Sequence, residues 1–260
     1  MDIKYQDIKY QLPKLLYSYN ELEPYIDQQT MEVHHNKHHN GYTIGTNEIL
    51  SKLQETFDIN IILCEIFKNK NEFDKQDFSK LLLMGGGYIN HIYYFNILAP
   101  YNIAKNTLTN KFIDILSDEY INLENFKNIF ATKALSVIGS GWVWLCLINE
   151  DMEICYSSET NTITDELIIS NRIDKLKNRT LSIITTKNQE HPQMYEKNIF
   201  PILAMDIWEH AYYLKYQNDK KTYIYNFFEV VNWNVVYEIY EQALEKKSVH
   251  INYDGKFYYK

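Results

Sequence analysis

Strand-like sequence in this chain of 260 residues is confined to its second half. Up to Leu135 the apolar residues recur at helical spacing. After the turn Gly139-Ser140-Gly141 the pattern changes to short runs: Trp142–Ile148, Met152–Ser157, Thr180–Thr186 and Ile199–Met205. That segregation predicts an α+β fold, with an N-terminal helical hairpin followed by a small sheet flanked by helices. Helices are expected from near Thr30, which can cap, and over Phe78–Leu98, where Pro100 ends the run. Others are expected over Thr109–Glu119, Leu123–Leu135 and Thr222–Lys247, with helical patches in 60–75 and a short one around Asp165–Lys177. Gly85-Gly86-Gly87 sits inside the second helix, where each glycine costs about 1 kcal/mol relative to alanine. Something there needs bare backbone or space.

Charge and cysteine content narrow the function. The net charge of −8 argues against a general electrostatic binder of nucleic acid. The three cysteines (Cys64, Cys146, Cys155) are odd in number and form no C-x-x-C pair, which points away from a disulfide framework and toward a reducing compartment. The start of the chain has no apolar leader segment, so a cytoplasmic location is expected. No apolar stretch approaches the length of a membrane span.

Three features could carry chemistry. In His34-His-Asn-Lys-His-His39, His34 and His38 share one helical face and His35 and His39 share another. This is the smallest metal-chelating spacing, and it also suits a solvated polar stretch. Asp206-Ile-Trp-Glu-His210 puts a carboxylate four residues before an imidazole at the end of an apolar strand, a metal pair or a capped helix start. His91 lies one turn after the triple glycine among Tyr88, Tyr93, Tyr94 and Phe95, as a ligand or as a core histidine. Together they offer several imidazoles and a carboxylate without thiolate, a set suited to Mn, Fe or Zn.

Five motifs in order, LEPYIDQQTMEVHHNKHH, GGGYINH, GSGWVWL, TTKNQ and DIWEHAYYLKYQN followed by VVNW, resemble the iron/manganese superoxide dismutase family from Leu12 to about Val236. The resemblance implies a long α-hairpin over residues 1–104. It also implies an α/β domain over 105–260 with a three-stranded antiparallel sheet. The reaction implied is disproportionation of superoxide, and the assembly a homodimer or tetramer without nucleic acid or membrane partners. The implied metal ligands are His34, His91, Asp206 and His210. Tyr42, His38 and Gln189 fall at the outer-sphere and gateway positions, and Trp142 and Trp208 at the wall. Glu209 matches the residue that reaches the partner's ligand histidine, with Tyr213 and Ser140 near the same contact. Gly87 together with Gln189 resembles the manganese type, Gly87 leaving room for the Gln189 side chain, with iron as the alternative.

The chain departs from the family in three places. Phe95 stands where the family usually has Trp. Asp219-Lys220-Lys221 replaces an Arg-containing stretch. An insertion is expected at about 150–178, tolerable at a loop tip. A dinuclear oxidase would need Glu-x-x-His pairs on two helices, and the sequence has only one such spacing, Glu32–His35. The alternative to catalysis is an altered family scaffold serving as an interaction protein.

Overall fold

The computed structural model describes residues 9–53, 59, 74–149, 179–195 and 198–260. The expected helical patches in 60–73, the strand at Met152–Ser157, the helix at Asp165–Lys177 and the 150–178 insertion lie outside them.

The N-terminal part is a pair of packed helical segments. Helix α1 (Gln28–Val33) starts earlier than expected because Asp27, not Thr30, is the cap: its carboxylate accepts from Thr30 N at 3.0 Å. It runs into a π-helical turn over His34–His39 and then α2 (Asn40–Leu53), with Asn40 N–H reaching back to His35 O. Helix α3 (Lys75–Asn96) is capped by Asp74 and packs along α2. Short α4 (Tyr101–Ala104) follows Pro100.

Helices α5 (Asn110–Tyr120) and α6 (Leu123–Ser136), capped by Thr109 and Asn122, lead to the sheet. Strands β1 (Gly141–Asn149), β2 (Arg179–Lys187) and β3 (Ile199–Asp206) form an antiparallel sheet in the order β2-β1-β3. The register sets Trp142 opposite Thr186 on one side and Asp206 on the other. Every residue of β3 is buried, so this strand is covered on both faces, by α3 and by the C-terminal helix. The expected helix over Thr222–Lys247 is two helices, α8 (Lys220–Phe227) and α9 (Trp233–Leu244), after a short α7 (Tyr213–Tyr216). A hairpin that the sequence reading did not anticipate closes the chain: β4 (Val249–Ile251) and β5 (Phe257–Tyr259). No helix among the described residues is long and apolar enough to cross a membrane.

Candidate metal centre

Four elements deliver four side chains to one point. His34 comes from the π turn, His91 from α3, Asp206 from the last position of β3 and His210 from the 3-10 turn Glu209–Ala211. Their ligand atoms lie within 4.8 Å of one another. The Nε2 atoms of His34, His91 and His210 stand 3.2, 3.5 and 3.2 Å from a single oxygen, Asp206 Oδ2. His34, His91 and Asp206 are fully buried.

The orientation of each donor is fixed from behind. His91 Nδ1 donates to Gly87 O at 2.6 Å, which leaves the Nε2 lone pair facing the carboxylate. Asp206 Oδ1 accepts from Trp208 N at 2.8 Å, leaving Oδ2 for the cluster, and its backbone carbonyl accepts from Tyr223 Oη at 2.9 Å. Tyr223 Oη in turn lies 3.3 Å from Tyr94 Oη.

Charge and burial make this an awkward place without a cation. Burial lowers the His34 pKa to about 4 and carries that of His91 well below its usual value, so both imidazoles are neutral at pH 7. Burial works to raise the Asp206 pKa, but His210 and His34 beside it win and hold the carboxyl below its ordinary range. The result is a buried anion among nitrogen lone pairs. His34 Nε2 and His91 Nε2 have no hydrogen-bond partner among the described residues. A metal ion satisfies all of these atoms at once, and an oxygen-and-imidazole set without thiolate suits Mn or Fe.

A second network surrounds the cluster. Gln189 is fully buried; its Nε2 donates to Tyr42 Oη at 3.0 Å, and its Oε1 accepts from Trp142 Nε1 at 3.1 Å. Asn90 Nδ2 donates to the Gln189 backbone carbonyl at 3.1 Å. The Tyr42 ring lies 5.0 Å from that of His91. His38, half-buried, stacks on His210 with ring centroids 4.1 Å apart. Trp142 stands edge-on to His91 at 5.3 Å, and Trp208 stacks on His210 at 5.5 Å. Phe95 packs 4.9 Å from His34, so an aromatic wall persists where the family usually has Trp.

The triple glycine now has a structural reason. A Cβ on Gly87 would lie 2.5 Å from the Tyr42 ring, the nearest neighbour, whose hydroxyl accepts from Gln189. It is Gly86 that abuts Gln189, through the backbone carbonyl. Glu209 and Tyr213 do not join the cluster of their own chain; both are exposed. Lys220 is half-buried, and its Nζ donates to Val137 O at 3.3 Å. The roles of Asn90 and Tyr223 were missed. Asn90 directly precedes the ligand-type histidine His91, which was a usable signal; nothing in the sequence marks Tyr223 among 23 tyrosines.

An α-hairpin and a three-stranded antiparallel sheet that converge on three imidazoles and a carboxylate define a protein built to hold a single first-row ion. Residues 9–99 match the alpha-hairpin domain of the iron/manganese superoxide dismutases, and residues 108–172 and 166–239 match the C-terminal domain of the same family. The two C-terminal matches overlap at residues 166–172. Relatives include the protein named superoxide dismutase (Mn/Fe) 2 of Staphylococcus aureus, in strains bovine RF122 / ET3-1, Mu50 and COL. Each is 36% identical over 234 residues, covering 90% of this chain and 98% of the relative. The chain belongs to the iron/manganese superoxide dismutase family and is an oxidoreductase acting on superoxide.

Proposed function

We propose that this enzyme disproportionates superoxide with one manganese ion held by His34, His91, Asp206 and His210, iron being the alternative. The observation that carries the reading is the convergence of three Nε2 atoms on Asp206 Oδ2. The Mn/Fe in the relatives' names fits either ion. Gln189 on the loop after β2, bonded to Tyr42 across from Gly87, favours manganese, as in the type that the sequence resembles.

What the metal supplies when bound is a one-electron couple that two superoxide ions use in turn. Two superoxide ions and two protons thereby give dioxygen and hydrogen peroxide. The residues of the chain supply the rest. Trp142, Phe95 and Tyr94 keep bulk water from the buried side of the cluster. Tyr42 holds its proton through neutral pH: burial, then the Asp206 charge, push its pKa up to about 12 despite the bond from Gln189. It therefore stands ready as a proton donor beside the reacting oxygen species. Half-buried His38, stacked on His210, takes the outer gate position, as the resemblance implies. Asp206 lowers the net charge on the ion that its neighbours bind, and so weights it toward the more oxidised state.

The same reading makes the enzyme a homodimer or tetramer. Glu209 and Tyr213 are exposed, and Ile138, two residues before Ser140, is 96% exposed, which leaves acidic and apolar side chains available to a second copy. Elemental analysis of protein purified from manganese- and from iron-supplemented cultures, with superoxide-dismutation activity on each, tests the proposal. Activity that tracks one manganese per chain is expected. Activity with iron alone overturns the metal assignment. Bound metal without activity in both samples overturns the reading of an intact catalytic centre.

A further inference from the structure

The C-terminal hairpin lies beyond residue 239, where the family match ends, yet it is docked tightly into the core. Val249 is 6% exposed and Ile251 2%. Three contacts lead inward from it. Ser248 Oγ, at the base of β4, accepts from Gln193 Nε2 at 2.8 Å. Phe257 on β5 packs against Tyr93 of α3, with ring centroids 5.2 Å apart. Tyr253 in the hairpin turn packs on Tyr10 at 4.8 Å, and its carbonyl accepts from Gln11 N at 2.8 Å.

Two of these contacts end close to the metal centre. Gln193 belongs to the 3-10 turn Pro192–Met194, which is closed by Gln193 N donating to His191 Nδ1 at 3.2 Å and by His191 N donating to Met194 Sδ at 3.3 Å. Gln189 sits two residues before His191. Tyr93 follows His91 by two residues on α3, and its ring neighbours His191 at 5.4 Å and Trp144 at 6.1 Å. The hairpin therefore grips the loop that carries Gln189 from one side and the helix that carries His91 from the other. Asn188, just before Gln189, has φ of 50°, so the loop takes a sharp bend there and depends on its two ends being held.

We propose that the β4–β5 hairpin is a positioning element for Gln189. Ser248 holds the 192–194 turn through Gln193, and Phe257 holds Tyr93. Together they fix the Gln189–Tyr42 hydrogen bond at the cluster. The inference rests on the reading that His34, His91, Asp206 and His210 hold the redox metal. A neighbouring amide tunes such a centre through its distance and angle, so a loosened loop changes the metal's potential without removing the metal.

The test uses the full-length, metal-loaded protein with Ser248→Ala, Gln193→Leu and the conservative Ser248→Thr, and Gln189→Ala as reference. Metal content, reduction potential by mediated titration, and hydrogen exchange of peptides spanning residues 186–195 are measured. Ser248→Ala and Gln193→Leu are expected to keep their metal and to exchange roughly threefold to tenfold faster in 186–195, the effect of one lost, partly buried hydrogen bond. They are also expected to shift the potential in the direction that Gln189→Ala does. Ser248→Thr keeps the hydroxyl and is expected to match the native protein. Native exchange and native potential in Ser248→Ala and Gln193→Leu, with a shifted potential in Gln189→Ala, overturn the hairpin's role and leave the metal reading standing. A lowered melting temperature with both readouts unchanged also overturns it, since the hairpin is then a structural staple only. Native protein without metal at the cluster overturns the reading beneath, and exchange in 186–195 then decides alone whether the hairpin holds the loop.

Discussion

The hexapeptide His34–His39 presents four histidines on two faces, and the two faces have opposite fates. On one face His34 is fully buried, and neither ring nitrogen has a hydrogen-bond partner among the described residues. Next to it on that face, His38 stacks on His210. On the other face His35 is tied down by neutral groups: Nε2 donates to Pro13 O at 2.8 Å, and Nδ1 lies 3.0 Å from Tyr19 Oη, whose proton goes to Asn36 Oδ1 at 2.8 Å. His39 is packed between the rings of Phe95 and Tyr88, each with centroids 5.6 Å away. Residue type and spacing are the same on both faces. What differs is what each nitrogen meets. His39 is buried with neither ring nitrogen hydrogen-bonded among the described residues, so an unpartnered nitrogen alone does not mark a ligand; convergence of the lone pair with others on a buried carboxylate does. The π turn keeps both faces aligned over one extra residue per turn, a local distortion common at functional sites.

The largest way to break this comparison is to exchange the faces. His34→Ala is expected to lose bound metal and with it the dismutase activity down to background. His35→Ala is expected to keep full metal content and lose about 1–3 kcal/mol of stability, for the stranded Pro13 carbonyl. Metal analysis paired with chemical denaturation reads both. Metal lost in equal measure by both variants would remove the distinction.

A smaller effect separates the cluster from its surroundings. Gly87→Ala drives a methyl group into the Tyr42 ring. Metal is expected to stay while turnover falls roughly 10- to 100-fold, the cost of misplacing a proton donor by about an ångström. Steady-state rates on metal-matched samples check this, and native turnover would show that Tyr42 can move aside freely.

A third prediction concerns a histidine outside the hexapeptide. His191 is fully buried, and burial alone takes its pKa from 6.5 to about 3. The unfolded chain therefore takes up the proton first. The stability due to neutral His191 is complete above pH 6.5 and drains away as pH falls toward 3, by about 2 kcal/mol at pH 5. In metal-loaded protein His191→Asn is expected to flatten the acid limb of a stability–pH curve. An unchanged limb would assign that loss to other groups.

The smallest effect is electrostatic steering. The chain carries −8, and Lys220, in the stretch where the family places arginine, is held to the Val137 carbonyl. The global field opposes an anionic substrate, so added salt is expected to raise the rate constant, by less than about twofold between low and physiological ionic strength. A steep fall with salt would reveal a local positive funnel.

How much of this was legible in the sequence depends on whether a residue's role is local. The helices flanking the site and the strands β1, β2 and β3 were readable because periodicity and capping are local signals. So were the side chains of the cluster, because spacing and motif place them. Roles that depend on the meeting of distant segments were not legible. Asn90 bonds to Gln189 across 99 residues, and Tyr223 bonds to the backbone of Asp206 from α8. Gly87 shows the same limit: the sequence announces a need for space but not that the Tyr42 ring is the nearest group filling it. The hairpin β4–β5 carried a local signal that was overlooked. Val249-His-Ile and Phe257-Tyr-Tyr flank Asp254-Gly255, and Gly255 takes φ of 76° at the turn, packed against Pro13.

The central claim is that one metal ion sits where the three imidazoles meet Asp206. Crystals of the manganese-loaded protein, with anomalous diffraction collected on both sides of the manganese edge, test it most directly. The account predicts one anomalous peak per chain, within coordination distance of Nε2 of His34, His91 and His210 and of Asp206 Oδ2. A peak on the His35/His39 face, or none at the cluster in an active enzyme, would contradict it.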